Sequence, residues 1–330
     1  MSKEIKLIPQ IPPDLSDAAK QGILVPFVGA GVSRLAGSPG WQDFADGVLR
    51  NLVGPDQFTY GDIGLLQSLS PRVKLSLASI FSRKFKCDTN YFNLLHENNA
   101  NRTEITNRLY YALSKLGKTF VTTNYDEWLD NMITPMPPTV NSIPSNILTS
   151  NEKTTMNVVW NKDQFVPSLL EKNLEKNTVI HLHGAVKDPE SMILTVGDYM
   201  RHYANDRING EENPVLTFLD DLFRIRSVLF IGYGLEEYEL LEPIIMKAKA
   251  GFDHHSIRHY LLQGFFSYEK RLSEILQNYY RNELGIELLP YRRDEKDREQ
   301  LVDVLEAFAE QIPAAAPSVL QDLNDMEALL

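Results

Sequence analysis

Ile23-Leu24-Val25-Pro26-Phe27-Val28 runs directly into Gly29-Ala30-Gly31-Val32-Ser33. The first six residues are apolar without alternation, the pattern of a strand covered on both faces in a parallel sheet. The next five are small, and a helix is expected to begin among them. Glycines let a backbone approach an anion, and amides at a helix start complement its charge, so this turn is a candidate phosphate cradle. A dehydrogenase fingerprint would need its third glycine at Arg34, with a strand ending in an acid about 20 residues further on. Neither is present, which disfavours hydride transfer.

Outward from this turn, strands are expected at Thr119–Thr122, Thr178–Leu182, Ser227–Ile231, His259–Leu262 and Ile286–Leu289, with a weaker candidate at Met192–Thr195. A helix through Val215, Leu216, Leu219, Leu222 and Phe223 precedes the Ser227 strand, and another spans Asp297 to Gln311. Strands alternating with helices give an α/β fold, a doubly wound, mostly parallel Rossmann-like sheet. Residues from about 42 to 118 read as mostly helical. Val73, Leu77, Ile80 and Phe81 share one helical face, as do Ile105, Leu109, Ala112, Leu113 and Leu116, and Gly117 supplies a stop. That is too much helix for one crossover, so it is read as a helical insertion into a single domain covering 1–330. Residues 135 to 167, rich in Pro, Asn, Ser and Thr, are expected to form a long loop or small subdomain. The tail beyond Pro313 is expected to fray or to meet a partner.

Composition narrows the function. The 330 residues hold 33 basic against 44 acidic side chains, a net charge of −11. Binding to phosphate backbones needs clustered cations, so no direct nucleic-acid binding is expected. No apolar run approaches the roughly 18–20 residues that cross a bilayer. The N-terminus carries no apolar signal segment, so no membrane association and a cytoplasmic location are expected. Cys87 is the single cysteine, which excludes intrachain disulfides and any cysteine-based zinc ribbon.

Three more polar or glycine-rich segments close expected strands: Thr122-Thr123-Asn124-Tyr125-Asp126, Leu182-His183-Gly184 and Ile231-Gly232-Tyr233-Gly234-Leu235. Ligands of open α/β sheets bind at the carboxyl ends of strands. His181 and His183 alternate onto one strand face, as a metal pair would, but no third ligand is evident and no metal is expected.

The Gly-Ala-Gly-x-Ser turn, the Thr-Thr-Asn-Tyr-Asp strand end and the Leu-His-Gly strand end, in that order, resemble the sirtuin-like NAD hydrolase domains of bacterial anti-phage defence systems. The resemblance covers about residues 22 to 290. It implies NAD, as substrate, over Gly29, Ala30, Gly31 and Ser33, with Thr123 beside them. It also implies an active-site Asn124 and His183, with Gly232 and Tyr233 near the adenosine half. Gly40-Trp41-Gln42-Asp43-Phe44 occupies the place of the family's flexible segment beside the nicotinamide end. Protein-deacylating sirtuins carry a four-cysteine zinc module, which a chain with one cysteine lacks. NAD glycohydrolase activity is therefore the expectation. The alternatives are an ADP-ribosyltransferase or deacylase, and a non-catalytic module that senses NAD or ADP-ribose and assembles with a partner.

Cleavage of the N-glycosidic bond releases neutral nicotinamide from a pyridinium, so the leaving group needs no proton and the transition state is cation-like at the ribose. His183 suits a base acting on water or a ribose hydroxyl. Asn124 can orient either group without adding charge. Asp126 would stabilise developing positive charge or cap the helix that begins just after it. Free NAD hydrolysis would be toxic, so latency is expected, relieved by homo-oligomer formation or by a separate partner such as a HerA-type ATPase.

Overall fold

The computed structural model describes residues 4–54, 58–96, 103–132, 156–166, 169–172, 177–204, 213–235, 237, 240, 242 and 259–312. Seven strands form one sheet: β1 Leu24–Val28, β2 Thr119–Thr122, β3 Asn157–Val159, β4 Thr178–His181, β5 Ser227–Ile231, β6 His259–Phe265 and β7 Ile286–Arg292. The spatial order is β3-β4-β2-β1-β5-β6-β7. Every pairing is parallel, so the sheet is the doubly wound α/β arrangement expected. The chain leaves β1 toward β2 on one side and leaves β5 toward β6 on the other. The carboxyl ends of β1 and β5 therefore flank the topological switch point, where such sheets bind ligands.

Both faces are covered. On β1, Leu24 and Val28 enter one apolar cluster, while Val25 and Phe27 enter the other. The first cluster packs under the helices Thr103–Ser114 and Gln300–Gln311, and the second under Pro214–Ile225. A third cluster lies apart from the sheet. It joins Phe44, Val48, Leu49, Leu75 and Leu95 of the helical segment to Tyr125, Val186, Met192 and Leu194 from loops at the strand ends. Helices Trp41–Arg50, Pro71–Phe85 and Tyr91–His96 thus roof the sheet's carboxyl edge, whereas the Thr103–Ser114 helix belongs to the sheet's own flank.

Three expectations need correction. Met192–Thr195 is no strand: Thr195 caps the helix Val196–His202, with Thr195 and Asp198 bonded reciprocally in a capping box. That pairing of cap and third residue gives the local backbone a better partner than a ladder. The Asn157–Val159 edge strand, too short for periodicity to mark it, lies inside the segment read as a long loop or small subdomain. In the Pro71–Phe85 helix the buried residues are Lys74, Leu75 and Ala78, and Ile80 is exposed. Lys74 is buried because its ammonium ion pairs with Asp46 at 2.6 Å. Most of the Pro135–Pro167 segment and the tail beyond Pro313 lie outside the described residues.

The turns after β1 and β5 touch backbone to backbone. Gly29 N–H donates to Ile231 O at 2.9 Å and Gly31 N–H to Gly232 O at 2.8 Å. Gly232 sits at φ +63°, and a Cβ there would come within 2.7 Å of Val32 N. Gly232→Ala combines a left-handed backbone with an overpacked contact, each worth roughly 1–3 kcal/mol. It should lower stability by about 2–4 kcal/mol in urea unfolding; an unchanged midpoint would show that the two turns yield without cost.

Candidate active site

A cavity of about 360 Å³ opens at this edge of the sheet. Its floor comes from four strand ends: Ala30 and Ser33 after β1, Thr123 to Asp126 after β2, His183 after β4, and Gly232, Tyr233 and Glu237 after β5. Trp41, Phe44, Pro71, Arg72 and Leu95 of the helical roof close the other side. Of the residues singled out in the sequence, Ala30, Ser33, Thr123, Asn124, Asp126, His183, Gly232 and Tyr233 meet here. Gly29 and Gly31 do not line the cavity; they face the β5 turn, where a Cβ on either would come within 2.8 Å of Gly232 O.

A hydrogen-bond chain orders the β2 end. Thr122 Oγ1 donates to Val28 O at 2.7 Å and accepts from Asn124 N–H at 3.0 Å. The Asn124 side chain then donates to Ser33 Oγ at 2.8 Å. Ser33 also bonds the Asp126 carboxyl, and Asp126 accepts the Trp128 backbone N–H at 3.3 Å. Asp126 thus meets the start of the Trp128–Met132 helix and lines the cavity as well. Burial raises its pKa above the usual carboxyl value, against the pull of the Ser33 and Trp128 bonds.

His183 is 1% exposed. Gly184, at φ +77°, turns the chain sharply behind it, and a Cβ there would run into the Ser191 carbonyl. The imidazole sits among groups that the sequence did not single out. Nε2 lies 2.7 Å from Tyr203 OH, and Nδ1 lies 3.4 Å from Tyr199 OH and 3.9 Å from Glu237 Oε1. Glu237 accepts from Tyr233 OH at 2.6 Å and Tyr199 OH at 3.2 Å, and Arg72 approaches it to 3.6 Å while lying over the Tyr199 ring. Burial first, and the Glu237 charge second, raise the pKa of Tyr199 and Tyr233, so both remain neutral donors. Glu237 stands two residues beyond the glycine-rich segment that ends at Leu235, and that nearness is the available signal. Tyr199 and Arg72 come from helix faces and Tyr203 from the residue just past the Val196–His202 helix, where nothing local marks them.

His181, two residues earlier, points elsewhere. Its Nδ1 lies 2.8 Å from Asn124 O and its Nε2 lies 2.8 Å from Asp130 Oδ1. The two histidines therefore serve separate networks. Among the described residues no group of three or more His, Cys, Asp or Glu side chains is placed to hold a metal ion.

His202 packs 6.2 Å from the His183 ring. Burial, and secondarily the neighbouring His183, lower its pKa from 6.5 to about 4. A histidine with a depressed folded pKa binds its proton more readily when unfolded, so stability falls as pH drops from 6.5 toward 4. The loss is at most about 3 kcal/mol. Asp126 acts with the opposite sign, but equally in parent and variant. His202→Phe should flatten the acid side of the stability curve; urea titrations at several pH values giving the parental slope would remove His202 as its cause.

A SIR2-like domain model matches residues 118–289, a little over half the chain, from the residue before β2 into β7. The matched stretch contains Asn124, His183 and the Gly232 turn, while β1 and the roof lie outside it. A search of curated proteins finds no match. By the extent of that match, the chain belongs to the SIR2-like domain family.

Proposed function

We propose that this protein is an NAD hydrolase that cleaves the bond between nicotinamide and ribose, giving nicotinamide and ADP-ribose. The observation that carries this reading is the convergence of Ser33, Asn124, His183 and Tyr233, from four strand ends, on one cavity. Membership of the SIR2-like family goes with action on NAD. The further role, depletion of NAD in anti-phage defence, rests on the resemblance of the three motifs.

The cavity suits such a substrate in two respects. Trp41, Phe44 and Leu95 offer an apolar wall for a flat ring, and the Arg72 guanidinium lines the same space as a partner for phosphate. Nicotinamide departs without needing a proton, so the protein's task is to hold the ribose, stabilise positive charge and manage one proton from water or a ribose hydroxyl. His183 takes that proton. The resulting imidazolium has Glu237 within 3.9 Å, which favours the charged ring. Asn124, tied to Ser33, presents a fixed amide to the same space.

His183→Ala should cost about 10²–10⁴-fold in nicotinamide release, the share of positioned proton transfer, with a smaller loss of NAD affinity. Asn124→Ala should match it, and the double variant should be little worse, because both serve one centre. Parental turnover by His183→Ala would dismiss the assigned base, and no turnover by the parent, alone or assembled, would favour an NAD-sensing module.

Glu237→Gln separates a second contribution. It keeps the shape, and an acceptor for one of the two tyrosine hydroxyls, but removes the charge facing His183. Turnover should fall by part of the same ~10²–10⁴-fold, with NAD binding by calorimetry retained. A variant as fast as the parent would leave Glu237 with a packing role alone.

A further inference from the structure

His181, the last residue of β4, is fully buried and does not line the cavity. Its two ring nitrogens meet two oxygens. The Asn124 carbonyl can only accept, so Nδ1, at 2.8 Å, carries a hydrogen. An ionised Asp130 carboxylate also only accepts, so Nε2, at 2.8 Å, must donate as well. A neutral ring has one N–H and would leave its lone pair against a carboxylate oxygen. The geometry accommodates one more proton. Lys187 Nζ lies 3.5 Å from the other Asp130 oxygen and 3.8 Å over the Trp160 ring, supplying that carboxylate with a second cationic partner.

We propose that His181 is an imidazolium clamped between Asp130 and the Asn124 carbonyl, and that it acts as a positioning residue for Asn124. The Asn124 backbone is then held at both polar atoms: its N–H by Thr122 Oγ1, its carbonyl by His181. Only the side chain is left to reach the cavity, where it bonds Ser33. The clamp joins β4 to the β2 end and to the Trp128–Met132 helix. The charged and titratable groups around it are Asp130, Lys187 and the buried Asp126, on which His181 also acts. The catalytic consequence rests on the NAD-hydrolase reading; the proton count does not.

Histidine-selective ¹⁵N labelling of the whole chain, with its 7 histidines, reads the proton count at neutral pH. Both His181 nitrogens should be protonated in the parent. In Asp130→Asn one should become bare, since an asparagine amide can donate to Nε2 while Nδ1–H keeps the Asn124 carbonyl. A bare His181 nitrogen in the parent, or no change in Asp130→Asn, would overturn the imidazolium. Positioning is read with two substitutions. His181→Asn places an amide N–H near the Nδ1 position and should keep most of the turnover. His181→Phe fills the space without a donor and should lose about 10²-fold in nicotinamide release, the scale of an ångström-sized misplacement, at unchanged NAD affinity. The Asn124 side-chain amide resonances should move in His181→Phe and stay in His181→Asn, a readout independent of turnover. Melting curves confirm folding. Unmoved resonances in folded His181→Phe would refute the positioning role; a parent inactive on NAD but showing these shifts would sink the hydrolase reading and leave the clamp.

Discussion

The site depends on the contact between the turns after β1 and β5, where two backbones meet with no side chain between them. Parallel pairing in register from Leu24 opposite Ser227 to Val28 opposite Ile231 delivers both turns to the same level. Gly29 and Gly31 then bond the carbonyls of Ile231 and Gly232. Interiors are close-packed and tolerate little extra volume, so only glycine serves at these three positions. The contact also fixes the segment leading away from Gly232: Tyr233 lies against the Phe27 and Phe230 rings, and Glu237 is held by the Tyr233 hydroxyl. The amides of Gly29 and Gly31 are engaged by the neighbouring turn, so the β1 turn reaches the cavity through Ala30 and Ser33.

Two histidines separated by one residue illustrate how strand geometry assigns roles. Alternation puts both on the same side of a strand, which invites a metal reading. β4 ends at His181, however, and the chain turns at His183 with Gly184 in the left-handed region. His181 is therefore drawn back toward the β2 end, and His183 is carried out over the cavity edge among tyrosines. Sequence spacing alone does not contain this divergence; it arises from where the ladder stops.

The sheet is legible in the sequence because six of its strands are buried β-rich runs bounded by turn residues, and the strand-end segments carry most of the cavity floor. The features that escape have specific causes. Asn157–Val159 is a three-residue edge strand, below the length at which a pattern repeats. Met192–Thr195 is β-rich in composition, but Thr195 and Asp198 form a helix cap instead. The roof is recognisable as helical, but in its Pro71–Phe85 helix apolar spacing finds the inward face only in part: Phe81 packs on the roof's core and Ile80 is exposed, while Lys74 is buried by an ion pair that a hydrophobic count does not foresee. Tyr199 reaches His183 from the helix that Thr195 caps, and Tyr203 from the residue that closes that helix.

The roof and floor are joined electrostatically as well as by packing. Arg72, from the helical segment, approaches Glu237, from the sheet's edge, and lies against Tyr199, which itself donates to Glu237. Glu237 in turn faces His183. Partly buried charges interact more strongly than solvated ones, so the charge that His183 experiences depends on how closely Arg72 is held.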